Sequence, residues 1–203
     1  MKTEKVAALS GPDEDAGLML AFQQGDENAF LLLLKKYEDR LVNFTYRYAG
    51  NRAGAEDLAQ EVLVKLYKAR DTYKPSAHFS TWLYTIATNA CLDYKRRSLR
   101  DLLRRAVPFS FVDEDGQKER EVSDVREKPL DQSLEQQQKD DAIRSALQRL
   151  PPQQRLALML KTYEDKPYSE IAGILRCSVP AVESLLFRAR QTLKQYLSSL
   201  DGS

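Results

Sequence analysis

The sequence predicts an all-α protein of two small helical domains joined by a flexible acidic linker. Apolar residues recur at three- and four-residue steps through both flanks of the 203-residue chain, and nowhere alternate with a strand's period of two. Capping acids and helix-stopping glycines punctuate the first flank, at Gly25–Asp26 and at Gly50. Between the flanks runs PFSFVDEDGQKEREVSDVREKPLDQSLEQQQKDD. That stretch has little periodicity and few large apolar residues after Val112, so it buries too little surface to fold alone.

The first flank holds four helices. Residues 17 to 24 are short and end at Gly25. Asp26 then caps a long helix with Phe30, Leu33, Leu34, Tyr37, Leu41, Phe44 and Tyr48 on one side, and Gly50 stops it. AGAEDLAQEVLVKLYKARD turns Ala55, Leu58, Ala59, Val62, Leu63, Leu66 and Tyr67 inward and shows Asp57, Gln60, Glu61, Val64, Lys65 and Lys68 on the other face. FSTWLYTIATNACLDYKRR, residues 79 to 97, places Phe79, Trp82, Leu83, Ile86, Ala87, Ala90, Cys91 and Tyr94 on its apolar stripe. Its opposite face carries Thr81, Tyr84, Thr85, Thr88, Asn89 and Asp93. The loop DTYKPSAH precedes it, and Pro75 biases Lys74 away from helix.

The second flank supplies four more helices between 143 and 200. Ile143, Ala146, Leu147 and Leu150 mark the first, and Pro151–Pro152 suit the start of the next. YSEIAGIL then joins through the three-residue turn RCS to a longer helix with Val182, Leu185, Leu186 and Leu193 inward. Two helices with so short a turn form the layout of a helix-turn-helix, whose second helix enters the major groove. Ser178 is placed to cap that helix, with Pro180 in its first turn. Pro180, Ala181, Glu183, Ser184, Phe187 and Arg188 point away from the apolar stripe. Arg188 and Arg190 suit guanine or phosphate, and Glu183 suits a cytosine amino group.

Composition narrows the chemistry. One histidine, His78, and two distant cysteines, Cys91 and Cys177, each in an apolar pattern, argue against a metal centre, and no cofactor is expected. No paired carboxylates, nucleophile–base set or phosphate loop suggests an enzyme. No apolar run is long enough for membrane insertion, and the N-terminus lacks the hydrophobic core of a signal peptide, so a cytoplasmic location is expected. Net charge is only +1, but it is segregated. Residues 107–142 carry five cations against eleven acids, whereas 143–203 carry nine against five.

Hydroxyl, amide and aromatic groups beside a cationic run suit an opened nucleic-acid strand. Lys95, Arg96 and Arg97, with Arg100, Arg104 and Arg105 beyond, can hold phosphates. Aromatics can stack on bases, and polar groups can bond exposed base edges. Stacking is worth about 1–3 kcal/mol per base, against a few kcal/mol to take a base from the duplex. Trp82, at the helix start, belongs mainly to the core, with one edge free for a base.

AGAEDLAQEVLVKLYK, FSTWLYTIATNACLDYKRR, LPPQQRLALML and YSEIAGILRCSVPAVESLLFRAR, in this order around an acidic linker, resemble an extracytoplasmic-function sigma factor of the sigma-70 family, sigma-E-like group, over residues 17 to 198. The resemblance implies a bacterial initiation factor that binds core RNA polymerase through its beta and beta-prime subunits, directs it to promoters and opens the DNA. An anti-sigma factor is a further implied partner; where that factor is membrane-bound it would hold the chain at the inner membrane face. Core-polymerase binding is implied for Asp57, Gln60, Glu61, Val64 and Lys65. Minus-ten binding is implied for Lys74, Ser76, His78, Phe79, Thr81, Trp82, Tyr84, Thr85, Thr88, Asn89, Lys95, Arg96 and Arg97. Minus-thirty-five binding is implied for Ser178, Pro180, Ala181, Glu183, Ser184, Phe187, Arg188 and Arg190.

The implied organisation is an N-terminal extension over 1–16, sigma region 2 over 17–106, the linker over 107–132 and sigma region 4 over 133–203. Four positions depart from the family pattern. Leu63 stands where phenylalanine is common, Pro180 and Ala181 replace Gly-Thr, and Glu183 stands where Lys or Arg is favoured. Two other readings remain open at this stage: a stand-alone regulator binding duplex DNA through 168–198, and a helical sigma mimic that binds only an anti-sigma protein.

Overall fold

The computed structural model describes residues 13–106 and 134–201. The expected linker and residues 1–12 lie outside the described residues. Helices α1 (Glu14–Gln23), α2 (Glu27–Ala49), α3 (Arg52–Lys68) and α4 (Phe79–Ala106) form the first module, with a 3-10 turn at Arg70–Thr72. Helices α5 (Leu134–Gln148), α6 (Pro152–Thr162), α7 (Tyr168–Leu175) and α8 (Val179–Asp201) form the second. Among the described residues every regular element is helical, as the apolar spacing predicts.

Local chemistry sets the helix ends. Asp26 Oδ1 accepts from the Asn28 amide at 3.0 Å, and Asn51 Oδ1 accepts from the Gly54 amide at 2.8 Å. Gly50 ends α2 in the left-handed region at φ 81°. The two modules also approach closely here, since a Cβ at this position would lie 2.8 Å from Gln148 Cδ. Pro152 opens α6 at a position whose amide needs no partner.

The start of α1 differs from expectation. The helix begins at Glu14 because Asp13 caps it, Oδ1 accepting from the Ala16 amide at 3.2 Å. The other oxygen, Oδ2, accepts from the Phe79 amide at 2.6 Å, so one carboxylate caps both α1 and α4. Asp15, in the segment taken as an extension, is buried and bonded to Tyr37 Oη at 2.7 Å and Lys36 Nζ at 2.6 Å.

One apolar cluster runs through the described helices. Met19, Phe22, Leu33, Tyr37, Leu41, Phe44, Leu58, Val62, Leu66, Phe79 and Leu83 fill the first module, and Leu156, Met159, Leu160, Ile171, Ile174, Val182 and Leu186 continue it into the second. Two expected core residues sit differently. Tyr67 is 40% exposed, lying against Phe22 and Phe30 with ring centroids 5.3 Å away in each case, and Ile143 is 47% exposed. Each keeps one side on the protein and the other in water.

The modules are in contact along α2 and α4. Arg155, almost fully buried in α6, donates from Nη1 to the Tyr48 carbonyl at the end of α2, at 2.7 Å. Gln148 Nε2 donates to that same carbonyl at 2.9 Å, and the Arg47 guanidinium lies 4.0 Å from the centroid of the Tyr163 ring. On the neighbouring edge, α7 packs on α4.

Two substitutions test these local features. Asp13→Ala removes two helix caps at once and is expected to cost about 1–3 kcal/mol, against roughly 0.5–2 for a single cap, read by thermal or urea unfolding. Arg176 ends α7 at φ 53°, a conformation that costs an L-residue about 1–2 kcal/mol. Arg176→Gly is therefore expected to raise stability by about 1 kcal/mol in the same assay.

Candidate polymerase and promoter interfaces

The outer face of α3 is built by elimination. Leu58, Ala59, Val62 and Leu66 are consumed by the core, which leaves Asp57 and Gln60 in water and Val64 50% exposed. Glu61 sits half-buried between Lys65 Nζ at 2.7 Å and Arg97 Nη2 at 2.6 Å. Burial would raise its pKa, but hydrogen bonds from Arg97 and Lys65 outweigh that and hold the carboxyl below its ordinary range. The Arg97–Glu61 pair ties this face to the cationic end of α4. Glu61, Asp93, Arg96, Arg97, Leu99 and Arg100 line an open depression there. A lone exposed valine among acid, amide and lysine makes a face suited to another protein.

Before α4, Lys74 and Ser76 are exposed, and His78 is half-buried with Nδ1 3.6 Å from Asp13 Oδ2. Phe79 is buried. Trp82 is half-buried, packed edge-on to Tyr73 at 4.8 Å and tilted against Phe79 at 5.8 Å between centroids. Asn89, Lys95, Arg96 and Arg97 are exposed. Together they run in sequence from the loop along α4.

The hydroxyl row is less available than its spacing suggests. Tyr84, expected on the outward face, has no exposed surface, because its ring lies 5.2 Å from that of Phe44 and its hydroxyl donates to Glu164 of the α6–α7 loop. Burial and this carboxylate both push the phenol's pKa upward. Thr88 is likewise buried, its hydroxyl donating to the Thr85 carbonyl at 3.1 Å, and Thr85 donates to the Thr81 carbonyl at 2.9 Å. Thr81 donates to Glu170 of α7. Thus only Asn89 and Asp93 of that face stand clear in water.

Residues unmarked in the sequence complete this region. Glu164, whose side chain is 5% exposed, also accepts from Arg40 Nη2 at 3.1 Å. Lys166 Nζ reaches Ser80 Oγ at 2.6 Å and Glu170 Oε2 at 2.9 Å. Burial opposes ionisation of Glu170, yet hydrogen bonds from Thr81 and Lys166 keep its pKa below the usual value. The bonds of Thr81 to Glu170, Tyr84 to Glu164 and Lys166 to Ser80 join residues 80 to 89 positions apart, and no local pattern announces them.

In the second module, Arg176 and Cys177 make the turn between α7 and α8, and Ser178 Oγ accepts from the Ala181 amide at 3.3 Å. Burial pushes the pKa of the Cys177 thiol upward. Val182, Leu186 and Ala189 hold α8 to the core. Pro180, Glu183, Ser184, Arg188 and Arg190 are exposed, Ala181 is half-buried, and Phe187 is 60% exposed. Among the described residues none is hydrogen-bonded or ion-paired to the Glu183 side chain, which leaves both its oxygens to the surroundings.

Comparison with known proteins agrees with this division. The family model described as Sigma-70 region 2 matches residues 33–101, and that described as Sigma-70, region 4 matches 140–193. The chain is 30% identical over 191 residues to the RNA polymerase sigma-H factor of Pseudomonas aeruginosa, covering 93% of this chain and 96% of that one. It is 31% identical over 193 residues to the ECF RNA polymerase sigma-E factor of Escherichia coli, covering 92% and 95%. Among solved structures, CnrH in complex with the cytosolic domain of CnrY superposes with a TM-score of 0.64 at 23% identity, covering 92% of this chain and 99% of CnrH. The sigma factor RpoE in complex with the anti-sigma factor NepR, from Bartonella quintana, gives 0.62 at 22%, covering 83% and 96%. Two family regions in the expected order, with relatives 30% and 31% identical over more than nine-tenths of both chains, make the chain an RNA polymerase sigma factor of the sigma-70 family, in its extracytoplasmic-function group.

Proposed function

We propose that the chain docks on core RNA polymerase through the α3 face, reads and opens the minus-ten element with the loop before α4 and α4 itself, and reads the minus-thirty-five element with the start of α8. It acts in the cytoplasm as an initiation factor rather than an enzyme. Its division of labour follows region 2 and region 4. The observation that carries the reading is the exposure of Asp57, Gln60 and Val64 on a helix whose other side is fully used by the core. A surface the fold does not need is free for a partner.

An anti-sigma partner is supported by the structural relative RpoE, which was solved with the anti-sigma factor NepR. The stand-alone regulator is disfavoured, since a duplex reader has no use for the α3 face or for the cations along α4. Among the described residues no helix is long and apolar enough to cross a membrane.

Asp57→Ala with Gln60→Ala is expected to weaken core-polymerase binding by roughly tenfold or more, the loss of one to two modest interface contacts, while melting as the wild type does. Pull-down of core enzyme and run-off transcription measure it, and undiminished capture would sink the α3 assignment.

Glu183 bears on which upstream element is read. It is exposed, without a partner among the described residues, and on the face shared with Ser184, Phe187 and Arg188, so its natural partner is a cytosine amino group rather than phosphate. Selection from randomised upstream elements should return different preferred sequences for wild type and Glu183→Lys, with about 1–3 kcal/mol at one or two base pairs. Identical selections would show that Glu183 reads no base.

A further inference from the structure

Glu61 differs from its neighbours on the outer face of α3. Asp57, Gln60 and Val64 are exposed, whereas 27% of the Glu61 side chain meets water and each of its oxygens already has a cation. Oε1 is paired with Lys65 Nζ, one turn along the same helix, and Oε2 accepts from Arg97 Nη2 of α4 at 2.6 Å. A carboxylate engaged twice within its own chain is poorly placed to dock a partner. The approach of α4 to α3 fixes the bridge: Gly54 presents no side chain where the Tyr94 hydroxyl comes against it, and a Cβ there would collide with that oxygen. Tyr94 and Arg97, three residues apart, share one face of their helix, so the close approach at Tyr94 brings Arg97 within reach of α3.

Arg97 is held by one nitrogen. Among the described residues its guanidinium bonds through Nη2 alone, and 47% of the side chain is exposed. Nε and Nη1 therefore keep N–H groups for an outside oxygen, in the fork that suits phosphate. Arg96 and Arg100 line the same open depression. Ordering a long side chain when it binds costs affinity, and a carboxylate that fixes the guanidinium beforehand removes part of that cost. The same carboxylate subtracts one charge. At so exposed a site salt screens that loss, whereas the orientation persists, so ordering outweighs neutralisation at a defined phosphate.

We propose that Glu61 is a positioning residue for promoter DNA: it holds Arg97 so that the remaining nitrogens of the guanidinium meet a backbone phosphate beside the minus-ten element, with Arg96 and Arg100 around the same depression. The proposal rests on the assignment of α4 to promoter DNA. It takes Glu61 out of the polymerase-docking set and leaves that role to Asp57, Gln60 and Val64. Lys65, the second cation on Glu61, braces the acid from the α3 side.

The measurement is equilibrium binding of purified holoenzyme, assembled before titration so that core affinity does not enter, to a labelled promoter fragment and to a promoterless fragment of equal length over a series of salt concentrations. Arg97→Ala should weaken promoter binding and reduce its salt dependence by about 0.7–0.9 in log–log slope, the share of one phosphate. Glu61→Ala should weaken promoter binding about threefold to tenfold, the cost of ordering one long side chain on binding, without weakening binding to the promoterless fragment. Glu61→Gln keeps the reach and an acceptor oxygen and should recover most of that loss. Glu61→Asp keeps the charge but falls short of Arg97, and should lose as Glu61→Ala does. In Glu61→Ala/Arg97→Ala there is no guanidinium left to position, so the double variant should bind as Arg97→Ala does.

Promoter binding in Glu61→Ala equal to or tighter than wild type overturns the proposal. So do losses that add in the double variant, and a Glu61→Gln as weak as Glu61→Ala. A Glu61→Ala defect confined to pull-down of core polymerase returns the residue to the docking face and overturns it too. Glu61→Gln and Glu61→Asp decide the matter between them even where Glu61→Ala fails to assemble. The assignment of α4 is tested separately by Lys95→Ala/Arg96→Ala, which leaves the Glu61–Arg97 bond in place. If that variant binds the promoter as wild type does, the assignment fails. If it binds weakly while the Glu61 variants change nothing, the positioning role alone fails.

Discussion

One guanidinium joins three helix ends. Arg155 Nη1 donates to the Tyr48 carbonyl and to Gln148 Oε1, each at 2.7 Å, and Nη2 donates to the Gln148 and Leu150 carbonyls at 2.7 and 3.2 Å. These acceptors close the C-terminal ends of α2 and α5, where helices leave carbonyls unpaired and carry partial negative charge. A cation with a rigid fan of donors satisfies several such carbonyls at once, which an ammonium would do less well. Its burial costs solvation, and among the described residues Nε has no hydrogen-bond partner. The Tyr48 ring, 5.2 Å from the guanidinium carbon, offsets part of that cost.

The placement of α6 and α7 follows from this anchor. With Arg155 seated at the end of α2, the loop after α6 falls beside α4, and Glu164 meets Arg40 and Tyr84. Gly50 is needed at the junction for two reasons: its left-handed backbone lets α2 stop, and the absence of a Cβ admits Gln148. The apolar cluster then continues from Phe44 and Cys91 of the first module to Leu156 and Met159 of the second. Polar contacts choose the register of this packing, while the apolar area drives it.

Much of the fold was legible because it is local. The caps at Asp26 and Ser178, the stop at Gly50, the start of α6 at Pro152 and the inward stripes of α2, α4 and α8 each depend on residues within one or two turns. The candidate site was legible in its exposed parts, for the same reason: Asp57, Gln60, Glu183 and Phe187 are what remains when the apolar stripe is removed. Tyr84 and Thr88 were misplaced outward because helical spacing records only one packing face, and α4 packs on helices of both modules. Asp13, Arg40, Arg155 and Glu164 went unmarked because their partners lie far along the chain. A carboxylate in TYEDKPYSE looks like any loop acid until Arg40 is beside it.

The arrangement also accounts for the low net charge of a DNA-binding chain. Strong unspecific attraction to phosphates would follow if every cation near α4 faced solvent, since each neutralised phosphate adds to affinity irrespective of sequence. Here Arg97 is paired with Glu61, Arg40 with Glu164 and Lys166 with Glu170. The first pair joins α4 to α3 and the second joins the α6–α7 loop to α2, whereas Lys166 and Glu170 stand four residues apart at the start of α7. Pairing of this kind lowers the positive field the chain presents to DNA below what its count of lysines and arginines suggests.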